Sequence, residues 1–420
     1  MAYCSCCGYD GRCICVSTVE NVESSTLTDI GPKLNSQFNE LRVAEKNTIV
    51  ELKSVYGLSE LRDITVGTVT NNSVEYEITT GAVGTDVSYL QSIERGRYLA
   101  GFAAEAGIGV RTDSSPIGDQ VMRWGLFDDQ NGAFFGVDST GIFVAIRRQN
   151  PSPPPVANDT IVYQTNWNID PMDGTGPSGL TLNLSDGNIF QIVFTWYGYG
   201  VIEYRIVVQD PDTLAQNVVT VHRYKPVMET SFTDPNLPLR GEADNDGTPD
   251  NPLLLLISGR QYSILGNVNP EFRITAASRS TTPPSAATQA LISFRRKPIF
   301  PAGSNRTNSV SVKLQSLDLA PAAPLFYEVI LGGTVAGAYG AVPGIPVNET
   351  ALEVNLTPGI PVGGISVFKG VAAGGGGNRV LASAELLDLE LAGTDPITLV
   401  VETISGSNQI LSTLSLKEEW

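Results

Sequence analysis

From residue 50 onward the chain falls into runs in which apolar and polar side chains alternate. ITVGTVTNNSVEYEITTG (64–81), FFGVDSTGIFVAIRR (134–148), IFQIVFTWYGYGVIEYRIVVQD (189–210) and NVVTVHRYKP (217–226) show the pattern, with Gly, Asn or Asp between them. A period of two is that of a strand with one buried face, and the separating residues are turn formers. Gly198 and Gly200 interrupt the third run and predict a turn or bulge between paired strands. The abundance of aromatics here suits sheet faces packed on one another. SPPPV (152–156) predicts a rigid loop or edge rather than a strand centre.

A second set of runs follows the proline-containing stretch KPIFPAGSN (297–305). These are SVSVKLQSLDL (309–319), LFYEVILGG (325–333), ALEVNLT (351–357), GISVFKGVA (364–372), ELLDLELAG (385–393), ITLVVETI (397–404) and ILSTLSLKE (410–418). Aromatics are few here, and AAGGGGN (372–378) reads as a loop tip. Short strands at this spacing predict a small β-sandwich. The expected architecture is therefore mainly β, with a large β-rich domain over 50–300 and a second, smaller C-terminal β-sandwich over 301–420.

Residues 18–49 break the alternation. Leu27, Ile30, Leu34, Phe38 and Leu41, continued by Ala44/Glu45 and Ile49, recur at the 3-4 spacing of a heptad seam. Thr26 or Thr28 is placed to cap the start, and Pro32 fits only in a first turn. Two readings stand: an amphipathic helix packed on its own domain, or a coiled-coil-like stalk through which chains oligomerise.

Before this tract, residues 1–17 hold all five cysteines: Cys4, Cys6, Cys7, Cys13 and Cys15. Their CxC and CC spacings fit the CxxC pairs of zinc sites poorly. An odd number cannot pair completely within one chain. Inter-chain disulfides, a metal and reduced thiols without a role remain the alternatives, and the adjoining seam favours the first.

Composition narrows the function. The 420 residues carry 27 Lys+Arg against 44 Asp+Glu, a formal charge of −17. That balance argues against sequence-independent nucleic-acid binding, which needs cations to neutralise phosphates. The first residues lack the charged and apolar regions of a secretory signal. No apolar run approaches the roughly 18 residues of a membrane span. Synthesis in a cytosol, with no membrane insertion and no cofactor, is expected.

Catalytic chemistry finds little support. A Ser–His–Asp triad would have to use His222, the one histidine, and no GxSxG elbow accompanies it. His222 reads as a structural strand residue. Glu94, Glu105 and Glu203 are candidates for the paired carboxylates of a glycosidase, but nothing in the sequence sets their separation. Two acidic loops, FDDQNG (127–132) and EADNDGTPDN (242–251), are weak calcium candidates through Asp244, Asp246 and Asp250. Asp–Gly clusters are turn formers first. Trp167, Trp196, Tyr197 and Tyr199 are candidates for stacking on a glycan, with a core role as the competing reading.

Several ordered segments carry a resemblance: ELKSVYGLSELRDI (51–64), ERGRYLAGFAAEAGIGVR (94–111), RWGLFDDQNGAFFGVDSTGIFVAIRR (123–148), NWNIDPMDGTGPSGLTLNLSDGNIFQIVFTWYGYGVIEYRIV (166–207), VHRYKP (221–226), DPNLPLR (234–240) and GRQYSILG (259–266). Together, over about residues 50–297, they resemble a family of virion structural proteins of tailed bacteriophages, of the collar, neck or tail-fibre appendage type. The resemblance implies a jelly-roll or lectin-like β-sandwich with no catalytic set. It implies a location in the virion and partners among the neck, collar or tail proteins. A homotrimer is the usual symmetry for such fibres. The expected function is a non-enzymatic virion component anchored through its N-terminus. The alternative is an adhesin that binds host-surface glycan, and a polysaccharide-cleaving enzyme ranks below both.

Overall fold

A computed structural model describes residues 46–150, 156–209, 216–266, 271–375, 389–404 and 409–420. Cys4, Cys6, Cys7, Cys13 and Cys15 lie outside the described residues, as do Leu27, Ile30, Leu34, Phe38 and Leu41 of the expected seam. The last part of the expected helical tract is described, and it is extended. Lys46–Leu52 is a strand paired antiparallel with Leu254–Leu265. The β-branched run Thr48, Ile49, Val50 explains the change, because its stiff side chains favour a pleated, half-buried surface. Among the described residues the helices are the single 3-10 turns Ser54–Tyr56, Gln164–Asn166 and Val347–Glu349.

The first sandwich packs an eight-stranded sheet on a seven-stranded one, and all named strand pairs are antiparallel. The first sheet runs Gln216–Tyr224, Ile202–Gln209, Asn188–Phe194, Ala103–Arg111, Leu254–Leu265, Tyr76–Thr79, Thr68–Asn71, with Lys46–Leu52 also on Leu254–Leu265. The second runs Val156–Tyr163, Ile142–Asn150, Gly132–Asp138, Val121–Phe127, Pro238–Asp244, Val87–Arg95, Asp63–Val66. Strands distant in sequence thus alternate between two layers, as burial of both inner faces requires.

Aromatic rings fill the space between the layers. Phe190 of one sheet meets Trp124 at 5.1 Å and Phe135 at 4.9 Å of the other, and Phe135 meets Tyr204 edge-on at 5.4 Å. The buried Tyr204 hydroxyl donates to the Ala145 carbonyl across the core at 2.7 Å, which satisfies its one polar atom. Arg260 and Asp63 form a second inter-sheet link at 2.5 Å, with both side chains almost fully buried. The expectation of a β-sandwich for this region holds.

The second sandwich packs Arg273–Thr281, Ile410–Glu419 and Ser311–Pro321 against a five-stranded sheet. That sheet runs Leu352–Asn355, Thr288–Arg296, Ile397–Thr403, Leu325–Leu331, Ile365–Ala372. Leu291, Phe294, Leu317, Val329, Leu399 and Leu414 are among its buried core. The domain change expected at 300/301 is displaced. Arg273–Thr281 pairs along its length with Ile410–Glu419, and Thr288–Arg296 pairs with Ile397–Thr403. The sheets therefore change between Leu265 and Arg273. The stretch 297–305 is a connection inside the second sandwich, where the Lys297 N–H donates to the Ala351 carbonyl and Phe300 is buried. Proline and glycine marked a turn there, not a boundary.

The two sandwiches meet through polar contacts. Arg97 of the first pairs with Glu419 and donates to Ser311 Oγ at 3.2 Å, and Glu94 accepts from Lys313 Nζ at 3.4 Å. Gln149 donates to the Asn305 carbonyl at 3.0 Å and Arg306 to the Thr233 carbonyl at 3.3 Å. Leu61 reaches from the first sandwich onto the second core.

Candidate functional site

One end of the first sandwich gathers three loops, and their aromatic residues form the site. The hairpin 195–201 joins Asn188–Phe194 to Ile202–Gln209, whose residues pair from Phe194–Ile202 to Ile189–Val207. Gly198 closes the turn at φ 78°, and the Gly200 N–H donates to the Trp196 carbonyl at 2.7 Å. A Cβ on Gly200 would lie 1.4 Å from the Thr195 carbonyl oxygen, so only glycine fits. The tight turn sends Tyr197 and Tyr199 outward at 53 % and 73 % exposure.

Loop 96–102 supports the hairpin from one side. It is pinned by the Gly96 N–H on the Leu237 carbonyl at 2.8 Å and by the Tyr262 hydroxyl on the Arg97 carbonyl at 2.8 Å. Gly96 lies against the Tyr262 ring, 2.4 Å from where a Cβ would stand. Tyr98 packs edge-on to Trp196 at 5.2 Å and to Tyr197 at 6.3 Å. Its phenol oxygen accepts the Tyr197 N–H at 3.0 Å. Burial pushes the Tyr98 phenol above its ordinary pKa, with the Tyr197 N–H opposing the shift.

Loop 225–233 supports it from the other side. The Ser231 N–H donates to the Gly198 carbonyl at 3.0 Å, and the Trp196 indole donates to the Phe232 carbonyl at 3.1 Å. Arg148 holds this loop by donating to Glu229 at 2.6 Å and to the Ser231 carbonyl at 3.3 Å. The hydrogen bond from Arg148 holds the Glu229 carboxyl below its usual pKa. Val227 and Met228 are exposed at the tip, Met228 in left-handed backbone at φ 59°. The hairpin tip thus exposes Tyr197 and Tyr199, and the neighbouring loop 225–233 carries the Arg148–Glu229 pair and the exposed Val227 and Met228. Phenol rings combine a flat apolar face with a hydroxyl, and loops set on a rigid sheet are where recognition residues concentrate.

The other sequence candidates fall elsewhere. Trp167 is buried in the core and its indole donates to the Val162 carbonyl at 3.1 Å. His222 is buried too, and its Nδ1 accepts the Asn168 N–H at 3.3 Å. Burial lowers its pKa to about 4, so it is neutral and structural at physiological pH. Glu105 pairs with Lys46 and accepts from Gln191 and Gln261 at 3.3 and 3.2 Å. Glu203 pairs with Arg205 and with Arg223 at 3.0 Å. Glu94 belongs to the contact between sandwiches. These carboxylates serve ion pairing in the sheets and at the domain contact.

The acidic loops are turns. Asp128 accepts the N–H groups of Gln130 and Asn131 and pairs with Arg95. Asp244 accepts the Asp246 N–H at 2.9 Å and faces Arg123 at 3.4 Å. Asp246, Gly247 and Asp250 take left-handed backbone. Among the described residues no three His, Cys, Asp or Glu side chains come together as a metal site.

Tyr98 and the loop 225–233 were not singled out from the sequence. Tyr98 meets Tyr197 across 99 residues, and RYLAGF has no periodicity that would mark it.

No family model and no curated protein matches the chain. Solved structures similar to part of it include a legume lectin-like domain from Entamoeba histolytica, at TM-score 0.30 and 11 % identity, over 50 % of this chain and 96 % of that one. The Emp47p carbohydrate recognition domain is similar at TM-score 0.31 and 12 % identity, over 52 % and 98 %. A structure from work on endo-acting O-glycanases of the human gut microbiota is similar at TM-score 0.36 and 7 % identity, over 52 % and 100 %. At these scores the likeness carries no argument about function.

Proposed function

We propose that the chain is a non-enzymatic recognition protein that binds saccharide at the aromatic loop end of its first sandwich. The observation that carries the reading is the Tyr197–Gly198–Tyr199 tip, whose two tyrosines are exposed rather than buried and whose backbone is tied to Tyr98 and Ser231. Exposed aromatic groups on a rigid hairpin lose little conformational entropy on binding and offer the C–H face of a sugar ring a flat partner. The carboxylates Glu94, Glu105 and Glu203 are occupied by cations, which favours binding over cleavage. A glycan array probed with the whole chain and with Tyr199→Ala tests this. The wild-type chain binds a defined saccharide set and the variant loses about tenfold or more in affinity; equal binding by both contradicts it.

The second reading is the virion role that the ordered segments of 51–266 imply. It rests on the resemblance of those segments alone. The two readings are compatible. A particle density map at side-chain resolution tests the second, and absence of the chain from purified particles contradicts it.

A further inference from the structure

Among the described residues, the five-stranded sheet of the second sandwich has its outer face covered over one half only. There Tyr339 folds back on the sheet, with its hydroxyl 2.7 Å from Ser293 Oγ and its ring under the Arg295 guanidinium at 4.1 Å. Among the described residues the other half is open, and it carries a transverse row from four neighbouring strands. Val371 stands opposite Phe326, Phe326 opposite Glu402, and Glu402 opposite Thr288. All four are exposed, Phe326 at 49 % and Val371 at 59 %. In the adjoining row Lys369 Nζ lies 2.9 Å from Glu328 Oε1. These residues line an open groove of about 380 Å³, within the range of small-ligand sites.

The row is apolar at one end and hydrogen-bonding at the other. An exposed Phe–Val pair on a solvated sheet face is the informative departure from ordinary surface. Three strand spacings, about 14 Å, span more than a single charged group would use. Lys369 is tied to Glu328, so Glu402 sets the sign of the free charge and disfavours an anionic ligand. Hydroxyl groups suit Glu402 and Thr288, and a C–H face suits Phe326. We propose that this groove is a second saccharide site, taking a neutral oligosaccharide laid across the strands. The proposal rests on the saccharide reading of the first sandwich and extends it to a bivalent protein. Two sites on one chain raise avidity for a polymer or a glycan-dense surface without any new contact.

Isothermal titration of the whole chain tests it, using a panel of neutral tetrasaccharides with an amino-sugar and a glucuronate-containing tetrasaccharide as charged arms. Phe326→Ala halves the equivalents of neutral ligand bound, and Phe326→Leu, which keeps apolar bulk without the ring, does the same. Glu402→Gln weakens that class of site, and Tyr199→Ala removes the other class. Unchanged stoichiometry in the Phe326 variants, with all binding lost in Tyr199→Ala, overturns the second site and leaves the first. Loss in the Phe326 variants with none in Tyr199→Ala overturns the first and leaves the second. Saturation of the Phe326 site by a charged arm alone overturns the neutral class, and no binding of any probe overturns both sites.

Discussion

The phenol oxygen of Tyr98 accepts the backbone N–H of Tyr197 at 3.0 Å. A side chain from one loop thereby fixes the backbone of a hairpin tip on another. The backbone of the Tyr197–Tyr199 tip is held by this contact and by the Ser231 N–H on the Gly198 carbonyl.

Tyr98→Phe keeps the ring packing and removes the acceptor. It costs about 1 kcal/mol of stability, and it speeds amide exchange at Tyr197. Urea unfolding with residue-resolved hydrogen exchange checks both. Unchanged exchange at Tyr197 would show that the bond does not hold the tip.

Gly200→Ala places a methyl group against the Thr195 carbonyl oxygen, where no room exists. The hairpin must reopen, at a cost of about 2 kcal/mol or more. Gly187→Ala is the control, since nothing lies within 4 Å of its Cβ position, and it shifts stability by less than about 0.5 kcal/mol. Thermal melts of the two variants should separate clearly.

Arg260 and Asp63 link the sheets of the first sandwich through a buried ion pair. Asp63→Asn or Arg260→Met alone leaves an uncompensated buried partner and costs about 3–5 kcal/mol. Denaturation midpoints of the single variants check this. A cost below about 1 kcal/mol would mean that water reaches the pair.

His222 gives a pH signature. Its folded-state pKa of about 4 lies below the ordinary value of 6.5 because burial disfavours the charged ring. A depressed folded pKa contributes stability that is complete above pH 6.5 and is lost as pH falls toward 4. The full contribution is on the order of 3 kcal/mol. Wild type and His222→Gln should therefore differ in the slope of melting temperature against pH within that window. Parallel slopes would contradict the assignment.

The strand registers make the sandwich boundary testable. A fragment covering 271–420 retains both sheets and should unfold cooperatively. A fragment covering 301–420 lacks Arg273–Thr281 and Thr288–Arg296, which pair with Ile410–Glu419 and Ile397–Thr403, and should not fold. Calorimetry of the two fragments decides.

Much of the fold was legible from residue pattern. The alternation around Gly198 and Gly200 located a hairpin correctly, because a two-residue period and a glycine-only turn are local properties. The runs at 325–333, 351–357, 364–372 and 397–404 became strands of one sheet for the same reason. The boundary was not legible. Nothing local in RITAASRST says that its partner is ILSTLSLKEE at the far end of the chain. At Lys46–Leu52 the heptad count overran, because Ile49 suits a strand edge as well as a helix seam. The site was half legible: Tyr197 and Tyr199 stood out beside two glycines, while Tyr98 acquires its role only through a contact between distant loops. Trp167, equally prominent as a letter, turned inward once the sheets closed.

Hydrogen exchange of the whole chain, with and without the tightest-binding oligosaccharide from the array, tests the central claim most directly. The account predicts protection at 96–102, 195–201 and 227–233 in the first sandwich. Protection confined to other surfaces of that sandwich, or none at those three loops with ligand at saturation, would contradict it.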